Sequence, residues 1–441
     1  MRASILANLA ISAVVTAAGT QQTRSIVYFD QWHTSILPNK TVTAGITHVI
    51  TAFAPSVDFA DGAGSYTPFM ALTDVRALFD PSTKVCMAIG GWGDTDGFSK
   101  GAANDASRKL FAENVASTVK RLGYDCVDVD WEFPGGNGQD YRQNPNSNKT
   151  SEIEAYPLLL SEIRKALGSI ELSIAVPALE RDMIAYTAEH VPKINDAVDF
   201  VNVMTYDLMN RRDNVTTHHT SVAGSLAAIE RYISLGFPPR KLNLGFPFYA
   251  KWFTTVAGAP CNSPIGCQTE LLESADGTDT GKSGATTFEA ANYAAAPSSL
   301  VTSPDGSCGT GTSYKCAANV CCGQYGYCGT TPAHCESGCQ SSFGRCDGIS
   351  IKDSFLKAMA NGKYDKANGG QWYWDAGDNI FWTWDTTQII ARKFQEIVVK
   401  KGLGGVFSWS LGEDSYDWSH LLALQSNVKQ LGSHKPHAVH E

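Results

Sequence analysis

Residues 124–134 read Y-D-C-V-D-V-D-W-E-F-P and place four acids, Asp125, Asp128, Asp130 and Glu132, within eight residues. The residues between them, Cys126, Val127, Val129 and Trp131, suit a buried strand. Alternate side chains of a strand share a face, so Asp128, Asp130 and Glu132 would project together with Cys126 below them. Carboxylates stacked this closely push at least one pKa up, so that a protonated acid persists near neutral pH beside ionised ones. An acidic surface strand would carry the same residues. The apolar opposite face of Val127, Val129 and Trp131 instead fits a strand covered by helices.

The elements that could position such a stack recur along the chain. Apolar, β-rich runs lie at 25–30, 46–54, 84–91, 171–177, 200–206, 241–249 and 404–410, in addition to 124–134. Helical patterns lie between several of them, at 103–122, 151–167, 221–235 and 386–401, while only 41–45 remain for a helix between the first two runs. Eight strands alternating with helices predict a (β/α)8 barrel, with a doubly wound open sheet as the second choice. In a barrel the site lies at the C-terminal ends of the strands. Those ends carry Tyr28, Trp32, Phe53, Trp92, Asp130, Glu132, Tyr206, Asp207, Tyr249 and Trp409. Aromatic rings interleaved with a few polar groups suit a groove that stacks against sugar rings.

Residues 250–385 are too many for one loop and must hold further structure. Eight of the twelve cysteines fall in residues 308–346, spaced C-x7-C-x4-C-C-x5-C-x6-C-x3-C-x6-C with Gly and Ser between them. So little apolar content predicts a small unit held by disulfides rather than by a core. No paired C-x-x-C pattern points to zinc. Tyr325 and Tyr327, one residue apart, would face outward and offer a flat carbohydrate contact. A stabilising knot without ligand is the bland alternative. Cys261 and Cys267 have a spacing that permits a disulfide.

The net charge of −9 and the absence of a basic block argue against a nucleic-acid partner. Residues 1–19 read as a secretory signal peptide, and no later apolar run is long enough to span a membrane. A secreted, extracellular, monomeric protein is expected, with sequons at Asn39, Asn148 and Asn214 and a flexible tail at 432–441.

The motif D-C-V-D-V-D-W-E resembles the D-x-x-D-x-D-x-E signature of glycoside hydrolase family 18, the chitinases and their relatives. A-I-G-G-W at 88–92, M-T-Y-D at 204–207, G-F-P-F-Y at 245–249 and G-G-V-F-S-W-S at 404–410 resemble further motifs of that family, in its order. Residues 308–346 separately resemble a hevein-type chitin-binding module. The resemblance implies a (β/α)8 barrel (24–250 and 385–430) with an α+β insertion (251–304 and 347–384) between strand 7 and its helix, the module (305–346) being embedded in it. It implies a secreted chitinase that takes chitin and chitooligosaccharides as partners and needs no cofactor or metal. Substrate-assisted retention would use Glu132 as acid and base, Asp130 and Asp128 as its partners, and Tyr206 on the substrate's acetamido carbonyl. Asp207 would position the sugar and Trp409 would floor the cleaving subsite. Tyr28, Phe53, Trp92, Met204 and Tyr249 would serve further substrate contacts. In the module, Tyr325, Tyr327, His334 and Gly323 stand at binding positions, with Gly323 in place of a usual Ser, His334 in place of a usual Tyr and both tyrosines where Trp is frequent. Its linkage would be Cys308–Cys322, Cys316–Cys328, Cys321–Cys335 and Cys339–Cys346, beside Cys261–Cys267.

The sequence departs from the family pattern at several points. Ala88 stands where Ser is usual and removes a hydroxyl from near Asp128. Cys126 replaces the motif's usual Gly. Cys86 and Cys126 would face inward on neighbouring strands, as a disulfide or, slightly preferred, as two buried thiols. Lys251 stands where Arg is frequent, which puts a substrate contact there in doubt. Asp125, of opposite parity, is expected to be structural. Two other functions fit the residues: a chitin-binding lectin on an inactive barrel, and an endo-β-N-acetylglucosaminidase acting on N-glycans.

Overall fold

The computed structural model describes residues 23–61, 65–293, 298–336 and 338–433. The signal peptide read at 1–19 lies outside them, as does most of the tail read at 432–441.

The apolar runs form β1 (Arg24–Asp30), β2 (His48–Ala54), β3 (Lys84–Gly90), β4 (Cys126–Asp130), β5 (Glu171–Pro177), β6 (Phe200–Met204) and β7 (Leu242–Pro247). Next come β8 (Tyr249–Thr254) and β9 (Ser283–Thr287). Four two-residue strands follow, β10 (Val301–Thr302), β11 (Tyr314–Lys315), β12 (Cys321–Cys322) and β13 (Cys328–Gly329). The order ends with β14 (Lys363–Asp365), β15 (Gly370–Asp375), β16 (Ile380–Trp384) and β17 (Gly405–Trp409). Strands β1 to β7 and β17 pair in parallel and close into a barrel, β1-β17-β7-β6-β5-β4-β3-β2. Strands β14-β15-β16-β8-β9 make a separate antiparallel sheet, inserted between β7 and its helix Thr387–Lys393.

Period-two alternation decides which way each side chain points. In β4, Val127 and Val129 turn outward into the apolar layer under the helices, whereas Cys126 and Asp128 turn into the barrel. The covering helix Asp105–Leu122 begins where the sequence supplies a cap. The Asn104 side chain accepts from the amides of Ala106 and Ser107, and the helix stops at Gly123 with φ 81°. Trp131, just past β4, is buried in the outer layer between Phe98 (ring centroids 5.2 Å) and Tyr156 (5.8 Å). That anchor leaves its neighbours Asp130 and Glu132 to the opposite side.

Four expectations change. Strand β4 stops at Asp130, so Glu132 sits beyond the ladder rather than within it. The run at 241–249 is two strands, because Tyr249 opens β8 and pairs with Thr287 of β9. The helical pattern at 386–401 breaks into an α-helix, Thr387–Lys393, and a wider π-helical turn, Phe394–Val399. Cys86 and Cys126 are register partners on β3 and β4, with Cα atoms 4.4 Å apart, and form a disulfide instead of two thiols.

Sulfurs also join Cys261–Cys267, Cys308–Cys322, Cys316–Cys328, Cys321–Cys335 and Cys339–Cys346. No helix among the described residues is long and apolar enough to cross a membrane.

Candidate active site

The acid column starts on the barrel floor. Arg24 donates through Nε to Asn243 Oδ1 (2.9 Å), and Asn243 donates to Asn202 Oδ1 (2.8 Å). Asn202 Nδ2 in turn reaches Asp128 Oδ1 (3.3 Å) and the Tyr28 hydroxyl (3.0 Å). Asp128 is fully buried and receives two hydroxyls besides, Ser173 at 2.5 Å and Tyr28 at 2.7 Å. Burial pushes its carboxyl up to about 6, against the lowering effect of these three donors. Asp130 lies one step higher. Burial first, and then the charges of Glu132 and Asp128, raise it well above the usual carboxylate range, and its Oδ1 is buried without a hydrogen-bond partner. Glu132, at the top, is raised by burial and by the charges of Asp207 and Asp182. The column can therefore hold a proton at neutral pH and present it at the cleft.

Close backbone approach lets the column reach the surface. Gly91 donates its amide to the Asp130 carbonyl at 2.8 Å. Gly90 has φ 107°, and a Cβ there would lie 2.2 Å from the same oxygen.

Around Glu132 opens a cleft of roughly 630 Å³. Trp409 at the end of β17 stacks on Phe53 (5.5 Å, 18°), and Trp32 lies 6.3 Å beyond. Trp92 is exposed at the rim, with the Arg212 guanidinium 5.6 Å from its ring. Met204 and Tyr206 line the cleft between β5 and β7, and Tyr206 meets Tyr249 edge-on at 6.2 Å. Asp207, at φ 54°, accepts from the Tyr249 hydroxyl (2.8 Å) and pairs with Lys251 (3.1 Å). Burial would raise its carboxyl, but Lys251, His219 and Tyr249 hold it well below the usual range.

The cleft thus gathers Asp130, Glu132, Phe53, Trp92, Met204, Tyr206, Asp207, Tyr249 and Trp409 from six segments of chain. One residue read as a substrate contact, Tyr28, and one read as a binding position of the module, Gly323, are buried. Tyr28 is 1% exposed, lies beneath Trp409 (5.6 Å) and spends its hydroxyl on Asp128, so it supports the column instead of lining the cleft. Gly323 is buried under His334, which is itself partly buried and bonded to Thr331. Tyr325 and Tyr327 are exposed, and Tyr325 lines the cleft. Asp125 accepts from the Val85 amide (2.8 Å) and pairs with Arg76 (2.8 Å), away from the column.

Ala88 leaves no hydroxyl gap. It is the register partner of Asp128 on one side, and Ser173 is the partner on the other and supplies the hydroxyl. Sequence reasoning missed Ser173, Asn202 and Asp182, for none belongs to a local motif. Asp182 is buried on the cleft wall, and its Oδ1 has no hydrogen bond but pairs with the Arg212 guanidinium at 4.0 Å. Lys251, placed in doubt by the missing Arg, lines the cleft through its pair with Asp207. Groups close enough to hold a metal, among the described residues, are disulfide-bonded cysteines (one set with Asp347) and the trio Glu154, Glu189 and His190. None of them lines the cleft.

The chain matches the profile of "Glycosyl hydrolases family 18" over residues 24–414. It is similar to Chitotriosidase-1 of Mus musculus, 28% identical over 248 residues, or 49% of this chain and 51% of that protein. It is also similar to Chitinase A1 of Niallia circulans, 31% identical over 205 residues, or 41% of this chain and 28% of that protein. The chain thus spans about half the length, or less, of these two curated relatives. Among solved structures, the Ostrinia furnacalis Group II chitinase catalytic domain 2 superposes with a TM-score of 0.63 at 19% identity, covering 94% of this chain and 98% of that one. A Rhizomucor miehei chitinase gives 0.63 at 19%, covering 92% and 99%. At these identities the structures share the fold.

Proposed function

The chain belongs to glycosyl hydrolase family 18, and from that membership we propose a secreted enzyme that hydrolyses β-1,4 bonds between N-acetylglucosamine units of chitin. The observation that carries the reading is the column Asp128–Asp130–Glu132, with its raised carboxyls, opening into an aromatic cleft. The relatives named as chitinases and the six disulfides support the substrate and the oxidising compartment. In this reading 24–250 and 385–430 are the catalytic barrel, and 251–304 and 347–384 the insertion. Residues 305–346 are a hevein-type chitin-binding unit.

Protonated Glu132 gives its proton to the glycosidic oxygen as the bond to the anomeric carbon breaks. The carbonyl oxygen of the substrate's 2-acetamido group attacks that carbon from the other face and closes an oxazolinium ring. The unpartnered Oδ1 of Asp130 accepts the acetamido N–H, and the Tyr206 hydroxyl donates to the acetamido oxygen. Asp128, held by Ser173, Tyr28 and Asn202, shares the column's proton, so Asp130 can ionise as positive charge develops above it. Glu132, now a carboxylate, takes a proton from water, whose oxygen adds to the anomeric carbon and opens the ring with net retention. Trp409 and Phe53 carry the sugar faces.

Glu132→Gln is expected to cut turnover of soluble chitin oligomers by about 10²- to 10⁴-fold with an unchanged melting temperature. The parent should release β-anomers first. Inverted products, or a Gln variant as fast as the parent, would overturn the reading.

A further inference from the structure

We infer that the two exposed tyrosines of the cysteine-rich segment do different work. Tyr325 is a sugar platform of the catalytic cleft itself, while Tyr327 belongs to the outer face. The inference rests on the proposed action on chitin. Both rings are open, at 68% and 64% exposed, so exposure does not separate them. Position does. Tyr325 lines the same cleft as Glu132, beside Asp279 and Ser283–Ala285, and Tyr327 does not. The Tyr325 hydroxyl points to Asp279 Oδ2 at 3.3 Å, which leaves the ring faces for contact.

A platform serves only if it is held, and the segment is seated on the inserted sheet at several points. Gln324, next to Tyr325, donates to the Ser283 carbonyl at 3.0 Å. Its Oε1 lies 1.7 Å from where a Cβ on Gly284 would be, so any larger residue there would displace the Gln324 amide from this seat. Lys282 is ion-paired with Glu336 of the segment. Gly338 comes to rest over the Trp252 indole, where a Cβ would sit 3.0 Å away. Tyr325 thus hangs from a seated residue over the cleft, and an aromatic face fixed on the wall of that cleft suits stacking on a pyranose.

The consequence differs from that of a surface anchor. An anchor matters only for particulate polymer, but a cleft platform matters for a soluble oligomer long enough to reach it. The test uses the full chain in a Glu132→Gln background, with calorimetric binding of short and long soluble N-acetylglucosamine oligomers. Tyr325→Ala should weaken the long oligomer by roughly three- to tenfold and leave the shortest unchanged. Tyr325→Trp should not weaken it. Tyr327→Ala should leave soluble binding intact and lower retention on particulate chitin. Equal effects of the two alanine variants on the long oligomer, or no effect of Tyr325→Ala, would overturn the inference. Turnover of the parent is read in parallel. An inactive parent that keeps the Tyr325 effect would overturn the hydrolase reading alone, and an oligomer that fails to bind would overturn both.

Discussion

The barrel and the cysteine-rich segment hold side chains against one cleft by opposite means. In the barrel, long apolar side chains such as Leu160, Ile163 and Phe111 are buried between helix and strand, and one disulfide, Cys86–Cys126, lies inside. In residues 305–346 the buried apolar side chains are six cysteines and Phe343. Forty-odd residues cannot bury enough surface to offset chain entropy, so covalent closure replaces it. The contrast teaches that cleft precision depends on apolar packing on one wall and on oxidation state on the other.

The sharpest break of that contrast is local. Cys321→Ala with Cys335→Ala should open the segment to limited proteolysis, since each native disulfide of a small unit contributes about 2–5 kcal/mol. The barrel's main melting transition should persist in calorimetry. A single merged transition in the parent that collapses in the variant would erase the distinction. Next in size, Leu160→Ala, a fully buried truncation in helix Thr150–Leu167, should cost the barrel about 2–5 kcal/mol by denaturant titration. Proteolysis of the segment should stay unchanged below the new midpoint. The smallest effect concerns acidity. Burial and the Asp207 and Asp182 charges raise Glu132, so the acid form survives to neutral pH and activity falls on the alkaline side as it ionises. Removing one negative charge makes ionisation easier and lowers that pKa. Asp182→Asn should move the alkaline limb of kcat/KM down by roughly one pH unit. Reducing the segment's disulfides should leave that limb in place, and a limb moved by reduction would tie the two walls together.

How far the site was legible follows from the range of its contacts. Asp128 and Asp130 were readable because a spacing of two fixes a shared face within one strand. Tyr28 had the right parity but not the right depth. Whether a ring at a strand end reaches the cleft or lies beneath it depends on Trp409, 381 residues further on. Ser173 and Asn202 were illegible because the register of β5 and β6, not any local pattern, brings them to Asp128. Tyr249 was placed on the wrong strand because the apolar run at 241–249 continues unbroken across the junction of β7 and β8. The insertion was legible from length alone, whereas its seat on Gly284 was not.

That seat bears on how such a protein can change over generations. Small disulfide-knit units travel readily between genes when they hang on linkers. This one fits a socket cut into its host, at Gly281 and Gly284 on the sheet side and Gly338 on its own. A transplanted copy would meet side chains where those hydrogens now lie, and the vacated host would keep an open notch beside its acids. Segment and sheet are therefore expected to be inherited as one piece, each constraining the substitutions the other can accept.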